Sequence, residues 1–143
     1  VALLMLIAES PAAQLAVLGD RVARRRAIRA RYAAALADVP GLSMLADAPW
    51  CRGNAWLSCL VMDPTLIPVD RERLRLALEA ADIESRPLWK PMHLQPVFAG
   101  CEVFGGAYGA RLFDTGLCLP SGSSMSDGDV DRVVATLRAA LIP

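Results

Sequence analysis

The sequence predicts a small two-layer α+β domain, about three strands packed with helices. Three observations carry that expectation. Apolar residues recur at helical spacing in three separated stretches, 11–37, 70–82 and 126–141. Short apolar runs at 55–62 and 117–120, bounded by Gly, Asn, Asp and Pro, lie between them and read as strands. A length of 143 residues with 55% hydrophobic content is one domain with ample material for one core.

Residues 1–8 are apolar with no basic residue ahead of them, and that length is too short to span a bilayer. Glu9, Ser10 and Pro11 break the run. It reads as a truncated beginning or a packed first element, with a signal-peptide remnant as the alternative. Pro11 suits a first helical position, and Ser10 ahead of it is a candidate N-cap. In the helix over 11–37, Leu15, Leu18, Val22, Ala33 and Leu36 mark the apolar stripe. Arg21, Arg24, Arg25, Arg26, Arg29 and Arg31 surround it. A basic helix can grip RNA or an acidic membrane surface. Arginine is also a good helix former whose stem covers apolar surface, and Tyr32 is the sole aromatic here. The preferred reading is a solvated or subunit-facing surface. Asp38, Pro40 and Gly41 end the helix.

Residues 42–54 read as a loop with a short strand at 42–45. The run 55–62, apolar on both faces, is expected to be a central strand covered on both sides. Asp70 caps the next helix, whose Leu74, Ala77, Leu78 and Ala81 face inward. Glu72 and Arg75, and Arg75 and Glu79, are spaced for surface ion pairs. A strand is expected over 83–88. Residues 108–115 form a short helix closed by Gly116, and 117–120 a short buried strand. The serine-rich 121–124 reads as a plain turn, with a phosphate-binding nest as the alternative. Ser126 and Asp129 open the last helix as a capping box, and Val130, Val133, Val134, Leu137 and Leu141 make its core face.

Function has to sit in a local site, because the formal net charge is zero and no global field favours nucleic acid or an anionic membrane. Gly105, Gly106 and Gly109 do not form a dinucleotide fingerprint. Cys51, Cys59, Cys101 and Cys118 contain no C-x-x-C pair, and one histidine cannot complete a Cys/His zinc set. They read as buried thiols of a cytoplasmic protein, with disulfides or a metal as the alternatives. The stretch that draws attention is 86–96. It holds the chain's sole histidine, His93, and sole lysine, Lys90, beside Arg86 and Trp89, and three prolines punctuate it. Each proline fixes its own φ and keeps the preceding residue out of the helical region, so a stiff irregular ribbon is expected. A cation, an aromatic and an imidazole held on such a ribbon suit a polar ligand. The alternative is a connection whose Trp89 and Met92 plug the core.

Arg86-Pro87-Leu88-Trp89-Lys90-Pro91-Met92-His93-Leu94-Gln95, followed by 112–122 (Leu112-Phe113-Asp114-Thr115-Gly116 onward) and then Ser126-Asp127, resembles the C-terminal part of the DegT/StrS family of pyridoxal-phosphate (PLP) sugar aminotransferases. The ribbon motif is most similar to the branch that aminates UDP-linked 4-keto-6-deoxy-N-acetylhexosamines, as in bacillosamine synthesis. The helix from Gln14 to Tyr32 and Ala35 resembles the one that leads from the family's large domain into its small domain. The resemblance spans about residues 12–141 and implies the small domain of a fold-type I PLP aminotransferase, with 12–37 as the inter-domain helix and 1–11 as a divergent or truncated lead-in. It implies that Arg86, Trp89, Lys90 and His93 face a nucleotide-sugar, with Arg86 and Lys90 on its diphosphate and His93 on a sugar hydroxyl or carbonyl. The family's Schiff-base lysine lies in the large domain, so Lys90 is not its counterpart. The family's R-M-S-N asparagine would fall near Met5, where the residues do not match. The chain alone is therefore expected to bind no PLP and to be inactive, and to associate as a homodimer or with a missing large domain. A non-catalytic α+β binding or oligomerisation module derived from that domain is the alternative.

Overall fold

A computed structural model describes residues 12–142. The expectations for the apolar run 1–8, the Ser10 cap, the Pro11 start and the region of Met5 lie outside the described residues. Among those described, α1 (Leu18–Ala35) is followed by β1 (Leu42–Met44), β2 (Ser58–Met62), α2 (Arg71–Ala80) and β3 (Arg86–Pro87). Two 3₁₀ turns follow at Met92–Leu94 and Pro96–Phe98, then α3 (Tyr108–Thr115), β4 (Gly116–Leu119) and α4 (Asp127–Leu141). The strands form one antiparallel sheet in the order β1-β2-β4-β3. The α+β class holds, with four strands in place of the expected three.

Pleat alternation divides the sheet into two faces. Leu60 stands opposite Leu117, and Met62 opposite Leu42. These side chains join Ile28, Tyr32, Leu74, Leu78, Val130, Val133 and Leu137 in the core beneath α1, α2 and α4. On the opposite face Cys59 pairs with Cys118, Cys118 with Arg86, and Val61 with Gly116. Only α3 crosses that face, so β2 is central but not covered on both sides: Cys59 and Val61 stay half-buried. This partly open face carries the candidate site.

Several local expectations hold because the chemistry behind them is short-range. The Asp70 side chain accepts from Arg73 N at 2.8 Å, capping α2. Glu72 and Glu79 both clamp Arg75. Ser126 and Asp129 form the reciprocal capping box of α4. The Ser121 hydroxyl accepts from Ser58 N at 2.8 Å and donates to Leu119 O at 2.9 Å, so the serine-rich turn spends that hydroxyl on the sheet.

Other expectations need correction. The first helix is interrupted: 12–16 is helical, Val17 is a turn, and α1 ends at Ala35. Its buried stripe is Ile28, Tyr32 and Leu36, while Leu15 and Leu18 are exposed and Val22 only half-buried. Among the described residues, Leu15 and Leu18 in the first half of the helical stretch pack on none of the core, so its apolar period is not used there. The strand expected over 83–88 shrinks to Arg86–Pro87, since Pro87 has no N–H to continue a ladder and a blunted edge results. Gly116 does close α3 as its C-cap, but at φ −106° and ψ 144° it is extended rather than left-handed and opens β4 directly. Cys51 and Cys101 are exposed rather than buried.

Most of the arginines of α1 are tied to partners within the chain rather than free in solvent. Arg24 donates to Met125 O and to Asp127, Arg31 clamps Asp131, and Arg26 donates to Gly53 O at 2.9 Å. Arg29 grips both oxygens of Asp47 at 2.7 and 2.9 Å. Three of the six are thus paired with aspartates and Arg26 is tied to backbone carbonyls, which reduces the charge a nucleic-acid face would need. No helix among the described residues is long and apolar enough to cross a membrane.

The Arg29–Asp47 pair has a pH signature. Hydrogen bonding from the Arg29 guanidinium, helped by its charge and by the Gly53 amide, holds the Asp47 carboxyl down to about 2. A depressed carboxyl stabilises the fold above its unfolded value of about 4, and that contribution fades as pH falls towards the folded value. In thermal melts, Asp47→Asn is expected to lie below the wild type at neutral pH and to converge on it as pH drops through that window. A gap that stays constant down the acid limb would contradict the assignment.

Candidate functional site

The open sheet face leads into a groove of about 610 Å³ between the β2 entrance, the ribbon after β3 and α3. Trp56 and Trp89 form one flank, their ring centroids 6.0 Å apart and their planes tilted by 39°. Phe113, Leu88 and the buried Cys118 also line the groove, and the exposed Arg86 and Lys90 supply positive charge.

Each wall is positioned by identifiable residues. Trp56 follows a loop tied down by the arginines of α1: Asp47, held by Arg29, accepts from Gly53 N at 3.1 Å, and Arg26 holds Gly53 O. A Cβ at Gly53 would sit 2.7 Å from Asp47 Oδ1, so glycine is what lets the carboxylate approach the backbone. Asn54 Oδ1 then accepts from Trp56 N at 3.0 Å, and Ala55 takes a positive φ of 52° that turns the chain into β2. The ribbon is anchored by Leu88, which is buried and donates its N–H to Gly116 O at 3.3 Å. A Cβ at Gly116 would sit 2.5 Å from Leu112 O and 2.5 Å from Leu88 Cδ1; the backbone carbonyl cannot rotate away, which is why the strand starts with glycine. Leu88 is the core plug of this stretch. Trp89 and Met92, which the alternative reading puts in that role, are 66% and 60% exposed. Phe113 is fixed by Arg71, whose guanidinium lies 5.1 Å from its ring centroid and donates to its carbonyl.

Of the residues singled out in the sequence, Arg86, Trp89 and Lys90 come together in the groove. Arg86 leaves the sheet on the same side as Cys118 and pairs with Glu84 at 2.8 Å, both side chains largely exposed. An exposed ion pair of this kind is worth about 0–1 kcal/mol, so the guanidinium can change partner at little cost. Lys90 is exposed, and Gln95 donates to its carbonyl, bracing the ribbon. His93 is not in the groove. It sits in the first 3₁₀ turn, which interrupts the expected irregular ribbon, and lines a separate depression of about 310 Å³ with Phe98, Cys101 and Glu102. Trp56 is a site residue that the sequence does not single out, because it falls inside the apolar run 55–62 that reads as strand, whereas β2 begins only at Ser58. Its signal is Gly53-Asn54 just before it, a turn that throws the indole out of the sheet. Among the described residues no group of three metal-ligating side chains converges.

The arrangement offers an aromatic platform for a flat or sugar-ring ligand beside two cations suited to a phosphate or diphosphate. The Bacillus subtilis (strain 168) protein EpsN, described as a pyridoxal phosphate-dependent aminotransferase, is 41% identical over 129 residues, which is 87% of this chain and 32% of EpsN. The solved structure of the aminotransferase TlmJ from Streptoalloteichus hindustanus superposes with a TM-score of 0.78 at 27% identity, covering 91% of this chain and 34% of TlmJ. DesI, crystallised in the presence of its TDP-sugar product, gives a TM-score of 0.79 at 25% identity over 89% of this chain and 33% of its own. The chain thus spans about a third of the length of these relatives. The family match itself covers residues 6–138, nearly the whole sequence, and the chain belongs to the DegT/DnrJ/EryC1/StrS aminotransferase family.

Proposed function

We propose that this chain forms the substrate-binding small domain of a PLP-dependent aminotransferase acting on a nucleotide-linked 4-keto-6-deoxy sugar of the UDP-N-acetylhexosamine (bacillosamine) type. The observation that carries the reading is the groove in which Trp56 and Trp89 stand beside Arg86 and Lys90. The indoles stack the uracil or the sugar ring. Arg86 exchanges Glu84 for the diphosphate in bidentate fashion, and Lys90 adds a point charge. His93 lines a separate depression and makes no ligand contact in this groove. Support for a nucleotide-linked sugar also comes from DesI, the relative crystallised with its TDP-sugar product.

PLP supplies the electron sink of transamination when bound. The residues of this chain do not fit the cofactor. Lys90, the sole lysine, is solvent-exposed on the ribbon, and the Ser121 hydroxyl, the best buried candidate for a phosphate, is already committed to the sheet. We assign the Schiff-base lysine to a part of the protein outside this chain, in the large domain that residues 12–37 would join. Lys90 therefore binds substrate and takes no part in a covalent step. The reading is tested by Lys90→Ala in the protein that carries the large domain. Cofactor absorbance is expected to persist while KM for the UDP-sugar rises about fivefold, the worth of one exposed phosphate contact. Loss of the cofactor absorbance would contradict it.

Met92, Val97, Phe104 and Tyr108 expose apolar surface along 92–108. We assign this surface to contact with the large domain and a dimer partner in a cytoplasmic enzyme. Light scattering of the chain alone is expected to show concentration-dependent association. A monodisperse monomer at high concentration would contradict that assignment.

A further inference from the structure

We propose that Cys59 and Cys118 form a peroxide-responsive thiol pair that closes reversibly to a cross-strand disulfide at the tryptophan groove. The two residues are direct partners in the β2–β4 register. Their Sγ atoms lie 4.0 Å apart on the same sheet face, with both thiols free. Opposed residues of antiparallel strands have Cα atoms about 4.5 or about 5.5 Å apart, and both values fall inside the range a disulfide spans. Closure therefore asks for side-chain rotation and no movement of the strands. Access is provided because Cys118 lines the groove and Cys59 is half-buried. The sheet core is on the other face, so oxidation does not require the fold to open.

The electrostatics favour Cys59 as the first nucleophile. Its thiolate shares the Cys118 thiol hydrogen and feels the Arg29 guanidinium, and it is pushed down to about 7 despite partial burial. The Cys118 thiol is raised by the same sharing and by burial, as a donor to a neighbouring thiolate should be. Hydrogen peroxide is the oxidant and accepts the electrons. The Cys59 thiolate attacks one peroxide oxygen, the O–O bond breaks, and hydroxide leaves, giving a sulfenic acid. The Cys118 sulfur then attacks the sulfenyl sulfur, its proton and the departing hydroxide make water, and the disulfide forms. Each sulfur is oxidised by one electron, each peroxide oxygen is reduced by one, and the balance is two thiols and one peroxide to one disulfide and two waters. A dithiol reductant reverses it. This geometry suffices whichever ligand fills the groove.

The test is peroxide titration of the protein followed by alkylation, proteolysis and mass spectrometry. A linked pair of peptides containing Cys59 and Cys118, lighter by the mass of two hydrogen atoms and released by dithiothreitol, is expected at about one equivalent of peroxide. The same link is expected in a Cys51→Ser/Cys101→Ser double variant, which excludes exchange through the exposed cysteines. In Cys118→Ser, oxidation is expected to halt at a sulfenic acid on Cys59, trapped by dimedone. Alkylated Cys59 and Cys118 after peroxide treatment of the wild type would overturn the proposal. So would a link that disappears in the double variant.

Discussion

Tyr32→Ala is expected to lower the unfolding free energy by about 3–5 kcal/mol, the range seen when a large buried aromatic is truncated. The side chain is fully buried, and its hydroxyl donates to Pro120 O at 3.0 Å, joining α1 to the turn between β4 and α4. Burial also pushes the phenol's ionisation upward, so it stays a donor at any working pH. Tyr32→Phe keeps the ring and loses only the hydrogen bond, for which about 1 kcal/mol is expected. Chemical denaturation of the two variants separates the packing part from the polar part. Equal losses in both would mean the hydrogen bond, not the ring, holds α1 in place.

The second large effect concerns the groove. Trp89→Ala is expected to weaken nucleotide-sugar binding by about 1–3 kcal/mol, the usual worth of stacking a base on an aromatic ring. That is roughly 5- to 150-fold in affinity. Because Trp89 is 66% exposed and Leu88 is the residue that plugs the core, the melting temperature is expected to stay within error. Trp89→Phe should recover most of the binding. An unchanged affinity with a lowered melting temperature would make Trp89 a packing residue and remove the platform from the site.

What the sequence makes legible, and what it hides, follows from the range of the interactions concerned. The Asp70 and Ser126 caps, the Glu72–Arg75–Glu79 ladder and the Val130–Leu137 face are local, decided within one or two helical turns, and all are present. The buried stripe of α1 lies elsewhere than expected because burial depends on where α2, α4 and the sheet lie, and helical periodicity cannot say which half of a long helix finds them. The pairing of Arg29 with Asp47 and of Arg31 with Asp131 joins residues 18 and 100 positions apart, so helical periodicity alone does not show that these arginines have partners within the chain. In the site, proline chemistry is enough to mark 86–96 as a displayed ribbon. It does not reveal that the ribbon's prolines set up two 3₁₀ turns that carry His93 away from Arg86, Trp89 and Lys90. Trp56 is hidden for a related reason. Its place beside Trp89 depends on a loop held by two arginines from another element.

The central claim is that the groove between Trp56, Trp89, Arg86 and Lys90 receives a nucleotide-linked sugar. Calorimetric titration with a UDP-N-acetylhexosamine tests it most directly. Saturable one-site heat is predicted, retained in part by UDP alone and reduced at least about tenfold in affinity by Arg86→Ala, the loss expected for one charge-assisted contact. Absence of heat, or binding that neither Arg86→Ala nor Trp89→Ala weakens, would contradict it.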